Sequence, residues 1–356
     1  MEVWVTLLAV LLYVWTLVWR RRRVLELLYS FILGSCCCSV LLVCSVARKH
    51  GMVEGLNSRA VVVTGCDSGF GQALVERLSL TGLKVFAGVL DLNGPGAQRL
   101  RDLQRENLQL LKLDITDAAQ VEAALQHVST QVSNTGLWAL VNNAGVLQCP
   151  VDVELQPPAA FRRCMDINFL SAVSMCQHFL PLLRRARGRI INMSSLAAEV
   201  PMPLFGAYGA SKAALKVFSE VMRQELAPWG VMVSVIQPAG FRTNIFGDQD
   251  SRSCHITELL SSVSAKARED YGDAYISSLP SGLSIMSRQA AADVSPVVDD
   301  MCDALLSANP RALYTPGRMG WLLPFLYRTC PTAMFDGIIR CLPKYTNQQP
   351  AGLRKT

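Results

Sequence analysis

The stretch Ala60-Val61-Val62-Val63-Thr64-Gly65-Cys66-Asp67-Ser68-Gly69-Phe70-Gly71 decides the fold expected for this chain of 356 residues. Its apolar beginning is typical of a strand that is covered on both faces of a parallel sheet. A glycine-rich turn follows, and residues 72–80 have the apolar periodicity of a helix. This order forms a phosphate site, because glycines let the backbone approach a pyrophosphate and the helix N-terminus supplies N–H donors. We expect a dinucleotide to contact Gly65, Ser68, Gly69, Phe70 and Gly71.

A second strand is predicted at residues 84–90, and Asp91 follows it, twenty residues after Gly71. A carboxylate at this position can accept hydrogen bonds from the hydroxyls of the adenosine ribose. It would also repel a 2′-phosphate, so NAD is favoured over NADP. The alternative is an aspartate that only begins the turn at residues 93–96, and the sequence leaves both interpretations open.

Five further strands are predicted at residues 108–113, 138–141, 190–193, 231–236 and 312–315. Strands that alternate with helices predict an α/β fold, here a Rossmann-type doubly wound parallel sheet of about seven strands in a single domain. The third strand ends at Asp114, a candidate for contact with the adenine edge. The fourth runs into the segment N-N-A-G, where we expect the cofactor cleft to be closed by Asn142, Ala144 and Gly145.

The candidate for chemistry is Tyr208, which stands four residues before Lys212 in a helix-forming stretch. Residues four apart share one helical face, so the ammonium can lie beside the phenol. A free tyrosine ionises near pH 10, and a neighbouring cation lowers that pKa. Ser195 ends an apolar run thirteen residues earlier, where its hydroxyl can hold a carbonyl or alcohol oxygen during hydride transfer. A long helix at 161–183 carries Asn168, whose buried amide needs partners and can bind a water behind Lys212.

Taken in this order, the motifs T-G-x-x-x-G-x-G, N-N-A-G, Ser195 and Y-x-x-x-K resemble the short-chain dehydrogenase/reductase family over about residues 58–245. The resemblance implies that Tyr208 is the general acid/base and that Ser195 positions the reacting oxygen. It implies that Lys212 lowers the pKa of the tyrosine and holds the nicotinamide ribose, while Asn168 completes a proton relay.

After the sixth strand the family usually has Pro-Gly and then a threonine that holds the cofactor carboxamide. Pro238 and Thr243 match this pattern, and both are expected at the cofactor. Ala239 replaces the usual glycine, which leaves the local backbone geometry as the point for the structure to decide.

A closer similarity is to the membrane-bound steroid dehydrogenases, with 11β-hydroxysteroid and microsomal retinol dehydrogenases as neighbours. It rests on residues 89–97, 135–138, 237–245, 270–276 and 314–317. It implies an endoplasmic-reticulum enzyme that oxidises the 17β-hydroxyl of estradiol and testosterone with NAD. The alternatives are an 11β-hydroxysteroid or retinol as substrate, or a membrane-tethered binding protein without catalysis. The last would be expected to lack the tyrosine or the lysine, and this chain has both.

Two apolar runs before residue 51 predict membrane attachment. A 20-residue helix rises about 30 Å, the thickness of the hydrocarbon layer. Val3–Trp19 therefore predicts a short span, a re-entrant segment or a signal anchor, and Leu27–Val46 predicts a full span. Residues 1–50 are taken as an anchor of one or two spans with membrane lipid as a partner, and the side of the membrane that the domain faces stays open.

The net charge of +6 does not indicate nucleic acid binding, since four of the arginines form the run Arg20–Arg23 between the two apolar segments. Topology and lipid headgroups explain such a run. The twelve cysteines include no C-x-x-C pair, so neither zinc nor a disulfide framework is expected. A homodimer is a further expectation.

Residues 51–320 are expected to form the catalytic domain, with a substrate lid at about 246–290. In open α/β sheets ligands bind beyond the carboxyl ends of the strands, which is where such a lid would lie. Residues 321–356 are apolar and aromatic at first and include several prolines. We interpret them as an interfacial segment or a cap on the substrate mouth, with plain core packing as the alternative.

Overall fold

A computed structural model describes residues 51–147, 150–246, 261–341 and 348–354, apart from the side chains of Pro280, Leu283 and Arg354. The two apolar runs that predict a membrane anchor lie outside these residues. Within the described part, no helix is both long enough and apolar enough to cross a bilayer.

Seven parallel strands form one sheet in the order β3–β2–β1–β4–β5–β6–β7. The strands are β1 (Ala60–Val63), β2 (Lys84–Val89), β3 (Leu108–Lys112), β4 (Ala139–Asn142), β5 (Arg189–Met193), β6 (Met232–Ile236) and β7 (Leu313–Tyr314). The predicted Rossmann-type sheet is confirmed, and each strand end lies within one residue of its predicted position. The strand order reverses between β1 and β4, which opens a crevice at their carboxyl ends.

Eleven α-helices are present among the described residues. The first six are α1 (Gly69–Leu78), α2 (Pro95–Asp102), α3 (Ala118–Gln131), α4 (Pro158–Met165), α5 (Ser171–Ala186) and α6 (Gly206–Leu226). The others are α7 (Ala265–Tyr271), α8 (Asp273–Gln289), α9 (Ser295–Leu306), α10 (Leu322–Thr329) and α11 (Thr332–Cys341). A π-helical turn at Asp166–Leu170 joins α4 to α5. The prediction of a long helix across 161–183 is confirmed, and the structure adds a change in the ladder of hydrogen bonds at the turn that contains Asn168.

Helices cover both faces of the sheet, which explains why its central strands have no polar alternation. In β1, Val61 and Val63 pack on one face and Val62 packs on the other, as the two-residue period of a strand requires. Met301 of α9 lies in the first cluster, and Phe179 of α5 lies in the second. Burial on both faces fixes the register, and thereby the places where the polar residues that follow each strand emerge.

The C-terminal helices α10 and α11 lie at the carboxyl edge of the sheet. Leu323 and Phe335 are buried against Leu196 and Val200, on both sides of the short turn that follows Ser195. Trp321 remains exposed. The C-terminal segment therefore packs at the carboxyl edge of the sheet, and it still carries exposed apolar side chains.

Candidate active site

The turn between β1 and α1 brings the glycine motif against the N-N-A-G segment. Gly65 and Gly69 have φ angles of +67° and +61°, a left-handed conformation that strains any residue with a Cβ atom. A Cβ on Gly65 would lie 2.8 Å from the Cα of Ala144, so the two loops touch backbone to backbone. These loops form the wall of a cleft of about 1300 Å³, which is lined by Gly65, Ser68, Gly69, Phe70, Ala144 and Gly145 among others.

The beginning of α1 has the features of an anion site. Ser68 is its N-cap residue, and the serine side chain makes no capping hydrogen bond, so N–H groups of the first turn stay available. The helix dipole adds positive potential at the same point. Gly71 does not line the cleft but makes the close approach possible, because its Cβ would lie 2.3 Å from the carbonyl oxygen of Gly65. These residues fit the pyrophosphate of a dinucleotide cofactor.

Gly71→Ala is expected to impair folding and cofactor binding together, because the added methyl group meets backbone atoms that cannot move independently. We expect a dissociation constant for the nicotinamide cofactor at least about tenfold higher and a lower melting temperature. Fluorescence titration and thermal unfolding measure the two effects. The matched control is Gly337→Ala in α11, where a new Cβ meets nothing within 4 Å. Equal behaviour of the two variants would contradict the role given to Gly71.

The residue that ties the two loops together is Asn143, which the sequence analysis did not single out. Its Nδ2 donates to the carbonyl oxygens of Thr64 and Gly65 at 2.9 and 3.0 Å. The Thr64 hydroxyl in turn accepts the backbone N–H groups of Asn143 and Ala144 at 3.1 and 3.0 Å. Asn142 was expected in the cleft but does not line it. Its amide donates to Asn192 on the neighbouring strand at 2.8 Å.

Ser195, Tyr208 and Lys212 meet in the cleft, as the sequence predicts. Ser195 follows β5, whereas Tyr208 and Lys212 lie one turn apart near the beginning of α6. The Ser195 side chain interacts with the Tyr208 phenol and by itself would lower the pKa of the phenol. The Nζ of Lys212 lies 5.9 Å from the centroid of the Tyr208 ring and donates to the carbonyl oxygen of Met193 at 2.8 Å. The cleft thus brings together a hydroxyl, a phenol and an ammonium group.

Burial controls the ionisation of both titratable groups. The ammonium of Lys212 is 2% exposed, and loss of hydration lowers its pKa to about 8. Burial raises the pKa of Tyr208 to about 12, and the interaction with the Ser195 side chain offsets this in part. The expectation that Lys212 lowers the pKa of the tyrosine is therefore not met by the protein groups alone. A base that is active near neutral pH needs further positive charge beside the phenol.

The π-helical turn points Asn168 at the loop behind Lys212. Its Oδ1 accepts the N–H of Val146 at 2.8 Å, and its Nδ2 donates to the Val146 carbonyl and to Ser211 Oγ, both at 3.0 Å. A Cβ on Gly145 would lie 3.1 Å from Asn168 Oδ1 and 3.2 Å from Lys212 Nζ, so both atoms converge on the same glycine. Asn168 does not line the cleft itself. Its contacts hold the loop that does, and the water relay stays a prediction.

Two carboxylates, those of Asp67 and Asp91, lie near the carboxyl end of β2. The one that lines the cleft is Asp67 of the glycine motif. Its oxygens accept the N–H of Leu90 at 3.0 and 3.1 Å, which brings this loop to the end of the second strand. Asp91 is exposed and does not line the cleft. Its carboxylate accepts the N–H of Asn93 at 2.8 Å, which is the turn that the sequence left open as an alternative. The acidic fourth residue of T-G-C-D was the signal that could have identified Asp67.

Asp114 lies in the cleft at the end of β3, as predicted. Its Oδ1 accepts both the backbone N–H and the hydroxyl of Thr116, at 2.9 and 2.7 Å. The Asp114 N–H donates to Gln120 at 3.0 Å. This network fixes the carboxylate in the cleft, and its contact with an adenine edge stays a prediction.

Pro238 and Thr243 both line the cleft after β6. The carbonyl oxygen of Pro238 accepts the N–H of Leu196 at 2.9 Å, and Ala239 donates to Pro316 at 3.0 Å. Ala239 is absent from the residues with positive φ, so the backbone here does not require the glycine that is usual in the family. The replacement is compatible with the site.

Part of the cleft lining is apolar. It includes Leu147, Phe205, Phe246 and Met286, which belong to one hydrophobic cluster, and Met202. Part of the expected lid, residues 247–260, lies outside the described residues, and the rest includes α7 and α8. Tyr275 of α8 donates to Asp152 at 2.7 Å, which ties this helix to the segment before α4. Leu279 of the same helix packs with Val151 and does not line the cleft.

The sequence profile of the short chain dehydrogenases matches residues 59–253. Estradiol 17-beta-dehydrogenase 2 of Mus musculus is 41% identical over 316 residues, which cover 89% of this chain and 82% of the mouse protein. The 11-beta-hydroxysteroid dehydrogenase type 2 of Oryctolagus cuniculus is 42% identical over 293 residues, 81% of this chain and 72% of the rabbit protein.

Solved structures with similar folds contain nicotinamide cofactors. A short chain dehydrogenase from Burkholderia cenocepacia J2315 in complex with NADP matches with a TM-score of 0.57 and 25% identity, over 80% of this chain and 98% of that one. A 3-ketoacyl-(acyl-carrier-protein) reductase from Brucella melitensis, complexed with NADH, matches with a TM-score of 0.50 and 26% identity. That match covers 56% of this chain and 83% of the reductase.

Proposed function

The chain belongs to the short-chain dehydrogenase family, and from that premise we propose that it oxidises the 17β-hydroxyl of a steroid with NAD. One observation carries the chemistry: Ser195, Tyr208 and Lys212 line the same cleft as the glycine turn. The steroid class is supported by relatives named for estradiol and for 11-beta-hydroxysteroids, and by the apolar side chains in the cleft lining.

The protein side chains act on the hydroxyl proton and oxygen. A nicotinamide, when bound, supplies the hydride acceptor and a positive charge. Ser195 donates a hydrogen bond that holds the alcohol oxygen, and the Tyr208 phenolate takes its proton. Lys212 binds the ribose hydroxyls and, below its pKa of about 8, adds a positive charge that favours the phenolate. General base catalysis of this kind contributes about 10²–10⁴-fold, and orientation in the cleft contributes much of the remainder.

The preference for NAD is supported by Asp67, whose carboxylate lies in the cleft at the end of β2. Asp67→Asn is expected to raise kcat/KM for NADP relative to NAD by roughly tenfold, because the like charge that repels a 2′-phosphate is removed. The amide oxygen can still accept the N–H of Leu90. Asp91→Asn is the matched variant, and we expect a smaller shift because Asp91 lies outside the cleft. A shift for Asp91→Asn alone would contradict the assignment.

The proposed activity is tested by following NADH formation with estradiol, testosterone, cortisol and retinol in parallel. Turnover of estradiol or testosterone is expected, with catalysis of cortisol and retinol at least tenfold weaker in kcat/KM. Preference for cortisol would indicate the 11β-hydroxysteroid alternative, which relatives of similar identity also support. NAD binding without oxidation of any of these alcohols would refute the steroid proposal.

We further propose that residues 1–50 attach the enzyme to the endoplasmic-reticulum membrane. The support is the length of the apolar runs Val3–Trp19 and Leu27–Val46 compared with the thickness of a bilayer. The full chain is then expected to stay with membranes in alkaline carbonate, and a chain that begins at Met52 to be released from them. Recovery of the full chain in the soluble fraction would contradict membrane attachment.

A homodimer is proposed from the exposed apolar side chains Leu170, Val217 and Val221. Contact between the rings of Phe169 and Phe218, 6.0 Å apart, joins the elements that carry them into one surface. Sedimentation of the detergent-solubilised chain is expected to give the mass of two chains, and Val217→Glu to give the mass of one.

A further inference from the structure

Glu199 is a nearly buried carboxylate beside the catalytic residues that the reaction described above does not use. It follows the short turn Leu196–Ala198, four residues after Ser195, and its side chain is 7% exposed. A charge so far removed from water is retained only with close partners. Its position therefore depends on the groups that surround it.

Three groups from three separate elements surround this carboxylate. The Nζ of Lys216, one helical turn beyond Lys212 on α6, lies 3.2 Å from Oε2. The Nε2 of Gln237, which directly precedes Pro238 and is fully buried, lies 3.2 Å from the same oxygen. Arg328 of α10 reaches Oε1 at 2.6 Å. Glu199 thus joins the helix of the catalytic pair, the cofactor loop after β6 and the C-terminal helices.

Apolar contacts reinforce the same junction. Leu196 and Val200, on either side of the turn, pack against Leu323 of α10 and Phe335 of α11. Leu196 also lines the cleft. A displacement of the C-terminal helices would therefore move the turn that carries Ser195, because ion pairs and apolar contacts hold the two segments together.

We propose that Glu199 is a positioning residue. Through its ion pair with Arg328, the helices α10 and α11 hold the Ser195 hydroxyl in place beside the Tyr208 phenol. The effect on turnover rests on the proposed oxidation of an alcohol, whereas the effect on the Ser195 turn does not. Arg328 is the partner best suited to a test, because its side chain is 61% exposed and its loss leaves no cavity in the core.

The first experiment measures hydrogen exchange of the amides in residues 196–202. In Arg328→Gln, exchange is expected to be faster by about tenfold in this segment, while exchange in β1 and β4 stays unchanged. Arg340→Gln, an exposed arginine on α11, is the matched control and is expected to behave like the unmodified chain. Unchanged exchange in Arg328→Gln would overturn the proposal, whatever the substrate of the enzyme.

The second experiment measures kinetics with any alcohol that the unmodified enzyme oxidises. Arg328→Gln is expected to lower kcat roughly tenfold, because the ion pair with the nearly buried Glu199 carboxylate is lost, with an unchanged dissociation constant for NAD. The deuterium isotope effect on kcat should rise, because poor alignment makes hydride transfer rate-limiting. A loss of protein stability alone would not change this isotope effect. Glu199→Gln combined with Arg328→Gln should be no slower than Glu199→Gln alone.

An isotope effect equal to that of Arg340→Gln would overturn the positioning role. Absence of turnover in the unmodified enzyme, in contrast, would count against the proposed function only.

Discussion

Tyr208→Phe is expected to lower the turnover number for alcohol oxidation by about 10²–10⁴-fold and to leave the dissociation constant for NAD unchanged. The substitution removes one oxygen atom, the atom that takes the proton of the alcohol. The ring is kept, and with it the contact with Phe205, whose centroid lies 6.2 Å away. The interaction of the phenol with the Ser195 side chain is lost as well.

Initial rates of NADH formation and fluorescence titration with NAD measure the two expected effects of this substitution. Tyr314→Phe is the matched control, because it also removes a buried phenol oxygen, one that donates to Asp303 at 2.6 Å and lies outside the cleft. The control is expected to lower the melting temperature and to keep kcat within about twofold. Normal turnover of Tyr208→Phe, or an equal loss in the control, would refute the assignment of the base.

Lys212→Met is expected to change activity and stability in opposite directions. Turnover should fall at least about 10²-fold, because the positive charge beside the phenol and the contact with the cofactor ribose are both lost. The melting temperature at pH 7 should be equal or higher. Lowering of the lysine pKa from 10.5 to about 8 corresponds to roughly 3 kcal/mol of destabilisation by the buried charge. The substitution also leaves the carbonyl of Met193 without its donor, which costs about 1–3 kcal/mol. Because this cost does not exceed the free energy gained by removing the buried charge, the substitution is not expected to lower the stability.

The stability effect of Lys212→Met also has a predictable pH dependence. Below pH 8 the lysine is charged in both the folded and the unfolded chain, and the unmodified protein carries the full penalty. Between about pH 8 and 10.5 the unfolded chain binds the proton more strongly, so the stability of the unmodified protein rises with pH in this window. The difference in melting temperature should therefore shrink from pH 8 upward.

Thermal unfolding between pH 7 and pH 10.5 measures that difference. Lys266→Met is the matched control, since Lys266 is 76% exposed and pairs with Asp270 on the protein surface. We expect no change of turnover and little change of stability in the control. A large loss of stability in Lys212→Met at pH 7 would show that the ammonium group stabilises the fold and would contradict the interpretation of its lowered pKa.

The sheet and the catalytic group were predictable because both depend on local patterns. The central strands are apolar runs that are buried on both faces, and each run ends in a turn or polar segment that the sequence displays. Tyr208 and Lys212 lie on one helix, so their separation follows from the helical period. Ser195 could be placed beside them because the carboxyl ends of parallel strands meet at one edge of the sheet.

Neighbouring candidates were decided only by the tertiary structure. Asn142 and Asn143 are identical side chains in adjacent positions, and only the packing of two loops directs Asn143 to the glycine turn and Asn142 to the next strand. The same holds for Asp67 and Asp91, since neither the turn after β1 nor the loop after β2 has a period that indicates which carboxylate enters the cleft.

The sequence by itself determined the parallel α/β sheet, the dinucleotide turn and the Ser195–Tyr208–Lys212 group, because periodicity and strand ends set them within short segments. The tertiary structure alone decided the upward shift of the Tyr208 pKa, the position of Asp67 in the cleft and the junction at Glu199. Desolvation and ion pairing depend on atoms that come from distant parts of the chain, such as Arg328, which lies 129 positions after Glu199 and pairs with it at 2.6 Å. No local pattern encodes such a contact, since it exists only after the sheet and its helices have packed.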